Sequence, residues 1–128
     1  MSTKLISSEE VGQGIISVTI NNDKKKNALS EEIKIGMIDI AENISENSEI
    51  SVVILSGEKG NFSAGNDVTE SSSFSKGKSL IEARRHNRLG LKMCNAWTNI
   101  SPITIASIEG VCIGGGLSLA LSCDFRIC

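Results

Sequence analysis

The sequence predicts an α/β fold in which strands alternate with helices along the chain. Three observations carry this prediction. Short runs rich in Ile and Val have the length of buried strands, longer stretches between them have apolar residues at helical spacing, and glycine-containing loops follow two of the strands. The predicted order is β-α-β-α-β-α-β, which is typical of an α/β layout.

The first half of the chain predicts two strands and one helix. Residues 14–20 place an apolar residue at every second position, which indicates a strand. A helix is predicted over 30–46, because Ser30 is a typical N-cap and two glutamates follow it. The run "SVVILS" at 51–56 predicts a strand that is buried on both faces.

The second half repeats the pattern. Residues 80–100 predict an amphipathic helix that ends before Pro102, and residues 103–108 predict the next strand. A short helix over 115–122 then leads into a strand within 123–128. The polar residues 69–79 are predicted to be mobile. We expect one domain with no internal boundary.

Composition excludes several classes of function. The 128 residues carry a net charge of −2 and only 3% aromatic residues, which argues against nucleic-acid binding. The single histidine leaves no zinc-type ligand set, and no CxxC pair is present. We expect reduced, mostly buried thiols, no membrane segment and a cytoplasmic protein. The cysteines are Cys94, Cys112, Cys123 and Cys128.

Two strand–loop–helix junctions share one design, "SVVILSG…FSAGND" and "ITIASIEG…GGG". Helix N-termini leave backbone N–H groups free, and two such groups that converge make an oxyanion hole. The alternative interpretation is that the glycines serve tight turns and close packing. Neither a phosphate-binding GxxxxGK[ST] loop nor a GxSxG nucleophile elbow is present.

Three motifs in order, "KKKNAL" (24–29), "NFSAGNDV" (61–68) and "PITIASIEGVCIGGGLSLALSCDFRI" (102–127), resemble the enoyl-CoA hydratase/isomerase, or crotonase, family. The resemblance runs from about residue 13 to the end and covers the N-terminal half of a usual member. It implies a crotonase-like β/α spiral that is incomplete at the C-terminus. It also implies acyl-CoA thioester substrates, no permanently bound cofactor, coenzyme A only as part of the substrate, and a homo-oligomer, a trimer or hexamer.

The resemblance also implies roles for individual residues. The N–H groups of Asn66 and Gly115 would be the two oxyanion donors, and Asp67 would be the N-cap behind the first of them. Three further residues would contact the coenzyme A part of the substrate. These are Ala64 through its backbone at the adenine, and Lys25 and Ala28 along the phosphates and pantetheine arm.

Ser118 departs from the pattern, since hydratases of the family have a glutamate at this position. A serine without an activating partner does not act as a general base near neutral pH. We therefore expect residues 1–128 alone to be catalytically silent, and a complete enzyme to be an isomerase or a hydratase. Two alternatives remain. One is a non-catalytic truncated protein that binds CoA weakly or pairs with other subunits. The other is a serine hydrolase that uses Ser118, which would need a histidine partner, whereas His86 is expected in an unrelated helix.

Overall fold

The computed structural model describes residues 5–70 and 79–128. The segment predicted to be mobile, 69–79, lies largely outside them. The strands are β1 (Ile6–Gly12), β2 (Ile15–Ile20), β3 (Val52–Gly57), β4 (Ile103–Ser107) and β5 (Phe125–Ile127). The longer helices are α1 (Glu31–Glu46), α2 (Leu80–Thr98) and α3 (Gly115–Leu121).

The five strands form one mixed sheet in the order β1-β2-β3-β4-β5. β1 and β2 form an antiparallel pair with a bulge, whereas β2 to β5 run parallel. α1 packs against α2, and α2 packs against α3. Because parallel strands end at the same edge of a sheet, the loops after β3 and β4 lie side by side there.

Strand β1 is not predicted by the sequence pattern. The segment "ISSEEVG" lacks an apolar residue at every second position, and of its residues only Ile6 is buried. It becomes a strand because it pairs with β2, where Ile6 lies opposite Ile20. The backbone hydrogen bonds of an edge strand come from its neighbour, so they leave little trace in the pattern of side chains.

The helices cover one face of the sheet, and this corrects the prediction for β3. Val53 and Leu55 are fully buried, together with Val18 and Ala106 on the neighbouring strands. The alternate residues of β3 are only half-buried, Ile54 among them. The strand is therefore buried on one face, although its run of apolar residues predicts burial on both.

The helix predicted over 30–46 is confirmed. The N–H of Ile33 donates to Oγ of Ser30 at 3.2 Å, which makes Ser30 the N-cap. α2 begins with a capping box between Ser79 and Glu82. Trp97 of α2 is buried against α1, and its indole N–H donates to the carbonyl of Met37 at 3.1 Å.

The cysteines only partly match their prediction. All four are free thiols, but only Cys123 is buried, Cys94 and Cys112 are half-buried, and Cys128 is exposed. Burial raises the pKa of the Cys123 thiol to about 11. Across the described ranges, no helix has both the length and the apolar character that a membrane crossing needs. The same ranges hold no group of three or more side chains suited to a metal ion.

Lys34 is a buried cation in the second turn of α1, with 2% of its surface exposed. Burial lowers the pKa of its ammonium, although the carboxylates of Glu70, Glu31 and Asp67 raise it in part. The unfolded chain therefore binds this proton more tightly than the folded chain. The free energy of unfolding gains a contribution from Lys34 as the pH rises through the lowered pKa towards the ordinary value of 10.5.

Replacing Lys34 by methionine should remove this pH dependence, because methionine fills a similar volume without a proton to lose. Urea denaturation from neutral pH upwards should show the stability of the wild type rising relative to that of Lys34→Met. The exposed Lys24 provides the control, since Lys24→Met should keep a constant difference from the wild type. A constant difference for Lys34→Met as well would contradict the prediction.

Candidate functional site

A cleft of about 420 Å³ lies between α2, α3 and the loop that follows β3. Three residues singled out from the sequence, Asn66, Gly115 and Ser118, line this one cleft. Asn66 belongs to the loop after β3, whereas Gly115 and Ser118 belong to the first turn of α3. The other lining residues all belong to α2 and are Asn87, Gly90, Leu91, Met93 and Cys94.

The loops after β3 and β4 are joined to each other by backbone hydrogen bonds. The N–H of Ser63 donates to the carbonyl of Val111 at 2.9 Å, and the N–H of Ile113 donates to the carbonyl of Ser63 at 3.2 Å. Ser63 and Cys112 form an isolated parallel bridge. The pairing continues the sheet locally beyond the ends of β3 and β4, and it brings the residue after Gly65 beside the start of α3.

The N–H of Asn66 is available to a ligand. The carbonyl of Gly65, in the same peptide unit, accepts a 2.7 Å hydrogen bond from the N–H of Leu29. In a planar trans peptide the carbonyl and the N–H point in opposite directions, so this bond turns the N–H of Asn66 away from Leu29. Within residues 5–70 and 79–128, that N–H donates to no protein acceptor.

The N–H of Gly115 is arranged in the same way. The carbonyl of Gly114 accepts from the backbone N–H of Ser118 at 3.0 Å and from its hydroxyl at 3.3 Å. The N–H of Gly115 points away from that carbonyl and, within the described part of the chain, has no acceptor. A carbonyl held by hydrogen bonds polarises its own peptide unit, which makes the N–H a better donor.

Glycine is required where the two loops meet. Gly65 has φ +91°, and a Cβ there would lie 2.9 Å from the carbonyl oxygen of Ile113 and 3.2 Å from the nitrogen of Gly115. A Cβ on Gly115 would lie 2.9 Å from Oδ1 of Asn66. At Gly65 the neighbours are backbone atoms, so the two loops can approach this closely only without a side chain there, whereas at Gly115 the neighbour is a side-chain oxygen.

Other glycines fit the alternative interpretation of turns and close packing. A Cβ on Gly116 would lie 2.6 Å from the carbonyl oxygen of Ser63, so this glycine lets α3 approach the loop after β3. Gly110 has φ +53° and lies against the backbone of Gly60. The glycine-rich sequence thus serves packing at some positions and exposes N–H groups at others.

Asp67 directly precedes residues 68–70, which are helical. Its Oδ1 accepts from the backbone N–H of Thr69 at 3.0 Å and from the hydroxyl of Thr69 at 2.6 Å. Its Oδ2 accepts from Nζ of Lys25 at 2.9 Å. The Thr69 hydroxyl and the Lys25 ammonium lower the pKa of this carboxyl, and its burial opposes them.

The residues expected along coenzyme A lie beside the cleft and do not line it. Lys25 is half-exposed, Ala64 is half-buried, and Ala28 is buried. The N–H of Ala64 donates to the carbonyl of Lys26 at 2.9 Å, which holds the loop after β3 against the turn before α1. The backbone of Ala64 is thus fixed next to the lysine-rich turn.

Several residues of the site could not be recognised from the sequence alone. Asn27 is fully buried with φ +57°, and its amide group donates to the carbonyls of Glu58 and Asn61. Ser63 is also buried, and its hydroxyl donates to the carbonyl of Asn27 at 2.8 Å. The "KKKN" turn gave one indication of the backbone conformation of Asn27, because asparagine tolerates a positive φ. Nothing in the helical pattern of α2 indicated that Asn87 and Cys94 line the cleft.

The cleft offers hydrogen-bond donors but few groups that transfer protons. Of the described residues that line it, Cys94 is the only one with an ionisable side chain, and none is a carboxylate or an imidazole. The hydroxyl of Ser118 is hydrogen-bonded within its own helix, a common arrangement for a serine in mid-helix. The arrangement can bind and polarise a carbonyl group.

Known proteins of one family match this chain. The family model described as Enoyl-CoA hydratase/isomerase matches residues 10–128. A short-chain-enoyl-CoA hydratase of Clostridium acetobutylicum is 38% identical over 112 residues, which are 86% of this chain and 41% of that protein. A peroxisomal Delta(3,5)-Delta(2,4)-dienoyl-CoA isomerase of Arabidopsis thaliana is 32% identical over 122 residues, 89% of this chain and 44% of that protein.

Solved structures agree with the sequence matches. An enoyl-CoA hydratase/carnithine racemase from Magnetospirillum magneticum superposes with a TM-score of 0.88 at 31% identity, over 98% of this chain and 46% of the other. An enoyl-CoA hydratase from Bacillus anthracis superposes with a TM-score of 0.87 at 28% identity, over 95% of this chain and 46% of the other. The predicted crotonase-like fold is confirmed, and it is incomplete because the chain spans less than half the length of these relatives. The chain belongs to the enoyl-CoA hydratase/isomerase family.

Proposed function

We propose that this chain binds acyl-CoA thioesters and stabilises the negative charge that develops on the thioester oxygen with the N–H groups of Asn66 and Gly115. One observation carries the proposal. Both N–H groups are without an acceptor in the described chain, and the residues that carry them line the same cleft. Donors of this kind are most useful where charge appears during a reaction.

The arrangement of the two donors favours an enolate-like oxygen over a phosphate. A phosphate needs several N–H groups of a glycine-rich loop or positive charge close by, and no cation is among the described lining residues. Two donors on neighbouring backbones suit one carbonyl oxygen. In this proposal the coenzyme A part extends past Ala64 and Ala28 towards the lysine-rich turn.

Residues 1–128 alone should bind without turnover. Hydration needs one group that activates water and another that delivers a proton, and isomerisation needs at least one base. The described residues lining the cleft include none of the carboxylates that such steps use. In a complete enzyme that supplies one carboxylate, isomerisation is the favoured reaction, because Ser118 stands where a second would be needed for hydration.

The serine hydrolase alternative gains no support. The hydroxyl of Ser118 donates to the carbonyl of Gly114, and His86 of α2 is not among the residues that line the cleft. The non-catalytic alternative agrees with the proposal in binding and differs only in the activity of a complete form. The cytoplasmic location, the single domain and the homo-oligomer stay predictions.

Nuclear magnetic resonance of the ¹⁵N-labelled chain tests the binding proposal. Acetoacetyl-CoA, whose acyl group enolises readily, should move the amide protons of Asn66 and Gly115 to lower field, since each would donate to the oxygen. Free CoA, the control, should shift resonances near Ala64 without this effect on the two donors. Shifts confined to other surfaces, such as the groove beside Ile16 and Ile50, would contradict the proposal.

The silence of residues 1–128 needs a separate assay. Crotonyl-CoA reports hydration and a 3-enoyl-CoA reports isomerisation, and we expect neither to be converted above the uncatalysed rate. Clear turnover that disappears in Ser118→Ala would show that Ser118 takes part in the chemistry. In a longer form that supplies one carboxylate of its own, Ser118→Glu should raise hydration, because it adds the second carboxylate of the pair.

A further inference from the structure

Lys25 makes specific contacts that its expected role at the coenzyme A phosphates does not explain. Its Nζ lies 2.9 Å from Oδ2 of Asp67 and 3.2 Å from the hydroxyl oxygen of Thr69. These partners are 42 and 44 residues away in the sequence, and they directly follow the proposed donor Asn66. The contact therefore ties the turn before α1 to the loop that carries the donor.

Asp67 depends on this contact because it is a buried carboxylate. Only 4% of its side chain is exposed, against 48% for Lys25. Its two oxygens have different partners, with Oδ1 accepting from Thr69 and Oδ2 accepting from Lys25. Loss of the charged donor at Oδ2 would remove one of the contacts that hold this buried carboxylate in place and in its ionised form.

A movement of Asp67 would also displace Asn66, the residue that carries the donor N–H, because one peptide unit joins the two residues. The N–H of Asp67 donates to the carbonyl of Leu29 at 3.2 Å, and the N–H of Leu29 donates to Gly65 at 2.7 Å. Asn66 is therefore held between two backbone hydrogen bonds to one residue. The longer of them is on the side of Asp67, where the ion pair adds the restraint.

We propose that Lys25 is a positioning residue of the oxyanion site, which acts through Asp67 to keep the N–H of Asn66 directed into the cleft. The inference rests on the proposed function of that N–H group. It differs from the role implied by the family resemblance, in which Lys25 lies along the phosphates of coenzyme A. Its ammonium is committed to Asp67 and Thr69.

The neighbouring lysines make the two roles separable. Lys24 is exposed and carries the same charge in the same turn, but it has no contact with Asp67. If positive charge at the turn attracts phosphates, the loss of Lys24 and the loss of Lys25 should weaken binding of CoA alike. If Lys25 positions the donor, only the loss of Lys25 should change the preference of the cleft for acetoacetyl-CoA over CoA.

Dissociation constants for CoA and for acetoacetyl-CoA should be measured with the wild type, Lys25→Met, Lys25→Arg and Lys24→Met. We expect Lys25→Met to weaken binding of CoA no more than Lys24→Met does, and to lose roughly 10-fold or more of the preference for acetoacetyl-CoA. Lys25→Arg should restore part of that preference, because a guanidinium still bonds a carboxylate. The amide resonance of Asn66 should shift in free Lys25→Met, whereas Lys24→Met should leave both the preference and that resonance unchanged.

Each other outcome has one meaning. Equal weakening of CoA and acetoacetyl-CoA by Lys25→Met would assign Lys25 to the phosphates and overturn its positioning role. An unchanged preference in Lys25→Met would overturn that role as well. A wild type with no preference for acetoacetyl-CoA over CoA would instead overturn the proposed function, and the positioning role with it.

Discussion

Gly65→Ala is expected to reduce strongly the preference of the cleft for acyl thioesters over CoA. A methyl group there would lie 2.9 Å from the carbonyl oxygen of Ile113 and 3.2 Å from the nitrogen of Gly115. Both neighbours are backbone atoms, which cannot move aside without shifting the start of α3. The substitution would therefore separate the N–H of Gly115 from that of Asn66.

The size of the effect follows from the loss of one oxyanion donor. In enzymes that depend on an oxyanion hole, the loss of one donor lowers kcat about 10²–10³-fold. In a binding measurement with acetoacetyl-CoA and CoA we expect the preference to fall at least roughly 10-fold. The positive φ of +91° should also reduce the free energy of unfolding, by about 1–3 kcal/mol.

Gly60→Ala is a closely matched control for the backbone effect. Gly60 lies in the same loop with φ +78°, and a Cβ there would have no neighbour within 4 Å. It should lower the free energy of unfolding by a similar amount and leave ligand preference intact. Equal ligand preference in Gly65→Ala and Gly60→Ala would show that the close approach of the two loops does not build the binding site.

Trp97→Ala should cause the largest loss of stability, about 3–5 kcal/mol in the free energy of unfolding. Trp97 is 1% exposed and lies where α2 packs on α1. Its removal leaves a cavity and also leaves the carbonyl of Met37 without the indole donor. Because this is the only tryptophan in the chain, unfolding should be followed by far-ultraviolet circular dichroism.

A second substitution and a control separate the two causes of that loss. Trp97→Phe keeps much of the apolar volume but loses the hydrogen bond, so it should cost about 1–3 kcal/mol. Ile81→Ala removes an apolar side chain from the same helix at a position that is 65% exposed, and it should change stability by less than about 0.5 kcal/mol. A loss for Trp97→Ala no greater than that for Ile81→Ala would mean that α1 and α2 do not depend on this contact.

The amino-acid sequence by itself determined most of the regular elements and the position of the candidate site. Ser30 and the apolar spacing after it predicted α1, because capping and burial of one helix face are local properties. The glycines at 65 and 115 and the three motifs predicted the two backbone N–H groups that we propose as donors. These features can be recognised in the sequence because each depends on residues close together in the chain.

Only the tertiary structure decided the features that depend on distant partners. β1 exists through its pairing with β2, and burial of one face of β3 depends on where the helices pack. The direction of the Asn66 N–H is set by Leu29, and Lys25 reaches a carboxylate 42 residues away. Hydrogen bonds and ion pairs of this range are made by the folded backbone as a whole, so no local pattern of residues specifies them.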